Sequence, residues 1–295
     1  MSTNDIKIAP AKEADLSGAE ALFRDRFGDE AAVPPFSEAD TFFVAKYDEQ
    51  IVGAGALFTS FLHREIPRVA IAVREKFQRR GIGRDLHRAL TKRTEGTPGF
   101  DGACFDDDAD AIGFLSRLGY RPSLDCFIPV VDTAAGVSDG ALPTGIEIAS
   151  FASAANPIER KSSLDFLVAS YIRTHHWSPV AIGPNDPLWE KIAFRGLRDD
   201  FSLVARRDGK IVGASTAHVE EKALQIRWVF APFPDASQEL EILKGLVGAQ
   251  LARAHESGLE TATFECDSTD PVLFQIPRHL KVLSAKTWRR FRYAP

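Results

Sequence analysis

Apolar residues in the first part of the chain recur at two spacings, one typical of strands and the other of helices. Ile6 and Ile8 alternate with polar neighbours, as in a short strand. From Leu16 to Phe27 the apolar residues instead recur at helical spacing, with Asp15 or Ser17 available as an N-cap. This pattern predicts a strand followed by a helix.

Three further apolar runs predict neighbouring strands of one antiparallel sheet. They read TFFVAKY, IVGAGALFTSF and RVAIAV, and the first two are joined by DEQ, which has the length of a hairpin turn. Helical spacing resumes from Ile82 to Leu90, the strand GACFD follows, and a helix spans Ala111 to Leu118 with Asp107 or Asp108 as its cap. With a last strand at DCFIPVV, the order of elements predicts a mixed α/β unit.

The second half of the chain repeats parts of the first. IKIA at 6–9 recurs as IEIA at 146–149, and DEQIVGA at 48–54 recurs as DGKIVGA at 208–214. Strands are predicted at FSLVARR, KIVGASTAHV, ALQIRWVF, ETATFEC and KTWRRFRY, and helices near 164–172 and 240–251. The segment 132–145 between the halves is rich in glycine and small polar residues, as linkers are. We therefore expect two α/β domains in tandem, at residues 1–132 and 145–295.

Composition argues against several classes of protein. The net charge of −5 gives no support to a nucleic-acid partner, which usually requires a basic face. The three cysteines are too few and too widely spaced for a disulfide framework or a CxxC metal site. The sequence also lacks a leader pattern and an apolar run of about 20 residues. We expect a cytoplasmic monomer or homodimer without a membrane partner.

The stretch EKFQRRGIGRDL at 75–86 has the composition of an anion site. Gly81 and Gly83 allow backbone N–H groups to converge on one point, and the helix that starts near Ile82 adds its own unpaired N–H groups. Cations at Lys76, Arg79, Arg80 and Arg84 could neutralise a polyanion such as a pyrophosphate, although an ordinary helix start with surface cations is the alternative. The P-loop pattern GxxxxGK[ST] is absent, and the dinucleotide pattern GxGxxG fails because Leu86 stands at its third glycine.

At this point the sequence resembles the GNAT superfamily of N-acetyltransferases. QRRGIG matches the acyl-CoA signature [QR]xxGx[GA], the DEQIVGA hairpin is similar to that of the family, and AIGFLSRLGY is similar to the helix motif AxxFYxxxGF. The resemblance covers about residues 5–132. The second half resembles the same fold with its signature lost, since VFAPFPDASQELE contains no glycine, and the tandem arrangement is similar to that of mycothiol synthase.

The resemblance implies that acetyl-CoA lies in a V-shaped opening between the fourth and fifth strands of the first unit. The backbone of the fourth strand would pair with the pantetheine arm, and the N–H of Val73 would face the thioester carbonyl and then its oxyanion. The implied cofactor-binding residues are Ile71, Ala72, Val73, Gln78, Arg79, Arg80, Gly81, Ile82, Gly83, Arg84, Asp108 and Leu115.

The chain departs from the family pattern at the expected acid and base. The tyrosine that usually protonates the leaving thiolate falls at Leu115, and the frequent asparagine falls at Asp108. Ser116 and Tyr120 are candidate substitutes for the acid. Glu65 or His63 could accept a proton through a water, or could simply belong to a polar turn.

Three other patterns have simpler explanations. FDDDADAIG places acids at alternate positions, but Ala111 and Arg117 stand where an EF-hand needs glycine and glutamate, so we expect helix capping and no metal. The adjacent His175 and His176 lack metal-ligand spacing, but the inserted segment with Trp177 and Trp189 could line an acceptor site, together with the two histidines. WRRFRYAP mixes cations and aromatics as a nucleic-acid binder does, yet also suits a final strand, which we favour.

The sequence therefore supports two main hypotheses. The first is an N-acetyltransferase that moves an acetyl group from acetyl-CoA to an amine of a small molecule. The second is a non-catalytic sensor that binds CoA or acyl-CoA without turnover, suggested by Leu115 and by the missing carboxylate. A protein-interaction scaffold in which both halves have decayed is a third, disfavoured by the glycine turn.

Overall fold

The computed structural model of this protein describes residues 6–28, 39–92, 97–138, 142–151 and 156–294. The chain forms two compact units, one of residues 1–123 with 290–295 and the other of residues 124–289. Residues 124–132 group with the second unit, and residues 290–295 group with the first.

The N-terminal unit is a mixed sheet with helices on both faces. Strands β2, β3 and β4 pair antiparallel in chain order, as the sequence predicts, and β5 pairs parallel to β4. The strand order is β1-β2-β3-β4-β5, with the last strand of the chain, β13, beside β5. Its strands are β1 Lys7–Pro10, β2 Thr41–Tyr47, β3 Gln50–Phe58, β4 Arg68–Val73 and β5 Phe100–Phe105, and its helices are α1 Leu16–Phe27, α2 Ile82–Thr91 and α3 Ala109–Arg117.

Strand β4 is covered on both faces, which gives the unit a two-sided core. Ala70 and Ala72 pack in the cluster that contains Leu22 of α1. Val69 packs on the opposite face in the cluster that contains Leu86 of α2. Because both faces of β4 are occupied, a ligand can reach its backbone only along the strand edge.

The start of α1 differs from the expected cap. The side chain of Asp15 makes no capping hydrogen bond to α1. It accepts instead from the backbone N–H of Lys12 at 3.0 Å and pairs with Lys46 at 2.7 Å. The contact with Lys46, and after it the bond from Lys12, lower the pKa of the buried Asp15 carboxyl.

The C-terminal unit repeats the strand order of the first. Its sheet runs β7-β8-β9-β10-β11-β6, with β12 also paired to β6, and β10 and β11 are parallel as β4 and β5 are. This agreement confirms the tandem fold that the sequence repeats predict. The strands are β6 Arg121–Asp132, β7 Ile146–Ser150, β8 Leu203–Arg207, β9 Lys210–Glu220, β10 Ala223–Phe230, β11 Thr261–Thr263 and β12 Cys266–Asp267, and the helices are α4 Pro157–Thr174, α5 Leu188–Ala193 and α6 Ala236–Glu256. Strand β13, Val282–Tyr293, begins in this unit, and its residues from 290 onward belong to the first unit.

The repeated hairpins agree down to single residues. Asp48 and Glu49 turn the first hairpin with positive φ values of 46° and 61°, and Asp208 and Gly209 turn the second with 50° and 73°. Two adjacent residues with positive φ are the signature of the hairpin turn whose twist matches that of its strands. Each hairpin also has a register shift just before the turn. The sequence repeat therefore reflects a repeated local structure.

The expected linker at 132–145 is anchored over its first half. Thr133 is buried, and its Oγ1 donates to the carbonyl of Leu259 at 2.7 Å. The N–H of Ser138 donates to the carbonyl of His279 at 2.9 Å. Residues 139–141 of the expected linker lie outside the described residues.

Among the helices of the described residues, none combines the length and apolarity that crossing a membrane would require.

Candidate functional site

Strands β4 and β5 separate soon after they meet. Their parallel pairing consists of one register position, Arg68 opposite Asp101, where the N–H of Asp101 donates to the carbonyl of Pro67 at 2.9 Å. In the described part of the chain, no register pair joins the two strands beyond that position. The edge of β4 from Val69 to Val73 therefore faces an opening.

Hydrogen-bond alternation shows which backbone groups face this opening. The N–H of Arg74 donates to Val52 of β3 at 2.9 Å. Because successive residues of a strand point their N–H groups to opposite sides, Ala72 also points toward β3. Ile71 and Val73 then direct their N–H groups toward β5. The structure thus brings two of the expected backbone donors to the opening, whereas the third, Ala72, belongs to the pairing with β3.

The side chain of Gln78 links the end of β4 to the following turn. Its Nε2 donates to the carbonyl of Val73 at 3.0 Å. This bond fixes the carbonyl of Val73, which lies on the same edge of the strand as the N–H of Val73.

The glycine turn has the backbone conformation that anion binding needs. Arg79 and Gly81 adopt positive φ values of 59° and 84°. No side chain caps the N-terminus of α2, and the first helical bond is donated by Asp85 to the carbonyl of Gly81 at 3.0 Å. The N–H groups that precede Asp85 therefore have no acceptor within the helix, and they face the same end as the positive pole of the helix dipole.

Cations surround this turn, and several already have protein partners. Arg79 pairs with Asp110 at 2.8 Å, and Arg84 with Asp85 at 3.3 Å, all on the surface. The side chains of Lys76 and Arg80 each lie 5.3 Å from the ring of Phe77. Exposed ion pairs of this kind contribute little to stability, so the arginines can turn to a bound anion at small cost.

Helix α3 closes the other side of the turn. A Cβ placed on Gly83 would lie 3.1 Å from the ring of Phe114, and one on Gly102 of β5 would lie 3.0 Å from a methyl group of Leu115. Both glycines thus allow α3 to approach closely. Ile82 contributes to the core, with 4% of its side chain exposed.

Asp108 is committed to helix capping. Its Oδ1 accepts from the N–H of Ala111 at 2.9 Å, and its carboxylate pairs with Arg26 of α1. The expected cap of α3 is therefore confirmed. The contacts of Asp108 place it at the start of α3.

The expected acids and bases differ in their exposure and in the contacts that they make. Ser116 is exposed, and its Oγ donates to the carbonyl of Ile112 within α3 at 2.8 Å. Tyr120 is buried against His87, with 3.0 Å between its hydroxyl and Nε2, and burial raises its pKa. Glu65 is an exposed residue of the turn before β4, and His63 in the same turn is half-buried.

Sequence reasoning missed a group of residues that hold β5. Arg292 pairs with the buried Asp101, and the ring of Tyr293 lies against those of His87 and Tyr120. The charge alternation in WRRFRY was the available signal, but a partner 191 positions away cannot be identified from a single sequence.

The equivalent region of the C-terminal unit has a different structure. A Cβ on Gly53 would meet Ile82 and Leu86, and one on Gly213 would meet Ile242 and Leu246 in the same way, which aligns the two helices. In this alignment Glu241 takes the position of Gly81, and Lys244 takes that of Arg84.

The start of α6 is unfavourable for binding an anion. Helix α6 begins at Ala236, so about one and a half further turns of helix occupy the place of the glycine turn. The carboxylate of Glu241 lies 3.1 Å from Nζ of the buried Lys244 and already neutralises it.

The inserted segment of the C-terminal unit forms an aromatic cluster. His175 stacks on Tyr171 with 3.7 Å between ring centres, and Trp189 is 1% exposed with its indole N–H donating to the carbonyl of Gly183. The ring of Trp177 lies 5.9 Å from that of His175. Packing within the unit accounts for these contacts, and no ligand is needed to explain them.

The final segment is a strand, as favoured from the sequence. Phe291 is fully buried, and Arg292 is engaged with Asp101.

Across the described residues there is no group of three or more His, Cys, Asp or Glu side chains that could hold a metal ion.

Comparison with known proteins supports the fold. Residues 38–122 match the acetyltransferase (GNAT) domain family. The chain is similar to a GCN5-related N-acetyltransferase from Sphaerobacter thermophilus, with a TM-score of 0.68 at 14% identity over 99% of this chain and 97% of that one. It is also similar to a tandem GNAT protein from the clavulanic acid biosynthesis pathway, with a TM-score of 0.57 at 16% identity over 98% of each chain. A search of the curated proteins found no match.

Proposed function

We propose that the protein transfers an acetyl group from acetyl-CoA to an amine of a small molecule. The proposal is supported by the match of residues 38–122 to the acetyltransferase (GNAT) domain family and by the similarity of the fold to that of a tandem GNAT protein. The observation that carries the proposal is the combination of the β4/β5 opening with an uncapped helix start at Gly81. The opening offers strand-edge N–H groups to an extended arm, and the glycine turn offers further N–H groups to a diphosphate.

The proposed reaction is a direct displacement at the thioester carbonyl. The neutral amine attacks the carbonyl carbon, and the oxygen gains negative charge as the tetrahedral intermediate forms. The N–H of Val73 points into the opening and donates to this oxygen, a kind of contact that is worth about 3 kcal/mol in the transition state. The C–S bond then breaks, the thiolate takes a proton, and the nitrogen loses one, which leaves the acetamide and free CoA.

The departing thiolate does not require a strong acid. A thiol has a pKa of about 8.5, so the absence of a tyrosine at Leu115 costs about 10²-fold in rate. Of the sequence candidates, Glu65 is exposed and able to exchange protons through water. The Ser116 hydroxyl would first have to leave its bond to Ile112.

We propose that the C-terminal unit binds no acyl-CoA, because helix and an internal ion pair occupy the place of its anion site. Its role is structural or lies in binding the acceptor. The alternative function is a CoA-binding sensor, favoured by the apolar Leu115 beside β5.

A thiol-release assay separates these functions. The purified protein is incubated with acetyl-CoA and a panel of small amines, free thiol is measured, and acetylated products are identified by mass spectrometry. Thiol release together with an amide product supports the transferase. Tight binding of CoA without thiol release supports the sensor, and no binding of any CoA species contradicts both.

A further inference from the structure

Among the described residues, the only register pair that joins β4 to β5 includes Asp101, whose carboxylate is also bonded by Arg292 of β13. We propose that Arg292 is a positioning residue that sets the apex of the β4/β5 opening and thereby the affinity for acyl-CoA. This inference rests on the proposed function, because it takes the opening to be the acyl-CoA site.

Both the backbone and the side chain of Asp101 are hydrogen-bonded at this point. Its backbone N–H bonds to Pro67, and its carboxylate receives two bonds from Arg292, at 2.6 Å from Nε and 3.2 Å from Nη2. The residue is 5% exposed. Backbone and side chain together therefore fix where β5 leaves β4.

Tyr293, the next residue of β13, also contacts β5 and its neighbourhood. The carbonyl oxygen of Tyr293 lies 2.3 Å from where a Cβ on Gly99 would be, so only glycine permits this approach. The ring of Tyr293 contacts Phe100 of β5 and His87 of α2. Residues on both sides of the opening, in β5 and in the helix that follows the glycine turn, thus touch the end of β13.

The geometry of the contact with Asp101 requires an arginine at position 292. Its planar fork matches both carboxylate oxygens, which a lysine ammonium cannot do. Removal of Arg292 leaves the buried carboxylate of Asp101 without its counter-charge, and this favours movement of β5 toward water. A shift of that strand changes the width of the opening, and a ligand held along β4 is sensitive to displacements below an ångström.

The chain offers a matched control three residues earlier on the same strand. Arg289 pairs with Asp125 in the C-terminal unit by the same fork, at 2.7 Å and 3.3 Å, and the two arginines have similar exposure, 32% against 27%. R289Q therefore removes the same fork and charge from β13, although the side chain of its partner Asp125 is more exposed than that of Asp101, 36% against 7%. R292Q removes a bond to β5, whereas R289Q removes one within the C-terminal unit.

The experiment measures CoA affinity by calorimetry, the thermal midpoint, and KM for acetyl-CoA and for the amine. We expect R292Q to weaken CoA binding about tenfold or more relative to R289Q and to raise KM for acetyl-CoA but not for the amine. Should R292Q fail to fold, R292K keeps the charge without the fork and is expected to show a weaker form of the same effect.

A double variant separates positioning from stability. D101N/R292Q removes both charges and with them the cost of an unpaired buried carboxylate, so it should regain thermal stability while CoA binding stays weak. Restored CoA affinity in the double variant, or equal affinity in R292Q and R289Q, overturns this inference alone. Absence of CoA binding by the unaltered protein overturns the proposed function and this inference with it.

Discussion

At the scale of single residues, Gly81 is the position on whose backbone conformation the proposed anion site most depends. It combines a φ of 84° with a place directly before the first turn of α2. A side chain at this φ is strained, and it would stand among the N–H groups that face a bound phosphate.

We predict that G81A weakens CoA binding at least tenfold while it costs about 1 kcal/mol of stability. Calorimetry with CoA and thermal unfolding measure the two effects. G209A is the control, because Gly209 has a similar φ of 73° in open space within the C-terminal hairpin. It should cost the same stability and leave CoA affinity unaltered. An equal loss of affinity in both variants would contradict the assignment of the turn.

His87 gives the N-terminal unit a pH dependence of its own. Burial lowers the pKa of His87 below its ordinary value of 6.5. The folded state therefore binds fewer protons than the unfolded state as pH falls below about 6.5, and the free energy of unfolding decreases until the folded-state pKa is passed.

We predict that H87Q reduces the loss of stability between pH 7.5 and pH 5. Glutamine can retain the hydrogen bond to Tyr120 but cannot take up a proton. Denaturant unfolding across this range measures the slope, and Y120F should keep the steeper dependence of the unaltered protein. His218 and Glu239, whose pKa values are also shifted, are common to all three proteins. Parallel slopes for H87Q and the unaltered protein would refute this role.

At the scale of elements, the two hairpins show how much can be predicted from local sequence. The turns at Asp48 and Asp208 follow from turn chemistry, and the cap at Asp108 follows from capping preferences. The first and last residues of β2 and β4 follow from the alternation of apolar residues. The early start of α6 at Ala236 and the pairing of Asp101 with Arg292 depend on tertiary contacts, which periodicity does not reveal. Asp15 illustrates the same limit, because Lys46 competes successfully for its carboxylate.

The glycines at the start of β3 and β9 make the repeated helix packing testable. A Cβ on Gly53 would lie 3.0 Å from Ile82, and one on Gly213 would lie 2.9 Å from Ile242. We predict that G53A and G213A each cost about 1–3 kcal/mol through overpacking, but that only G53A weakens CoA binding, because it displaces the start of α2. Thermal unfolding and calorimetry of the pair measure this. Equal losses of affinity would show that the effect is global.

At the scale of the whole molecule, the two units share one strand order, but the described residues contain one candidate anion site. We predict that calorimetry finds one CoA per chain, and that G81A removes this heat without exposing a second site. A stoichiometry of two would show that Glu241 and Lys244 yield to the ligand, contrary to the proposal for the C-terminal unit.

The strand β13 also determines when the site can form during synthesis. Residues 290–295 belong to the N-terminal unit, and Arg292 reaches a partner 191 positions earlier. On the ribosome, the first unit emerges with one side of β5 unpaired, and that side is covered only after β13 has been synthesised. Acquisition of ligand-binding competence is then coupled to the synthesis of β13, so nascent chains stalled before residue 290 should be sensitive to proteases near β5.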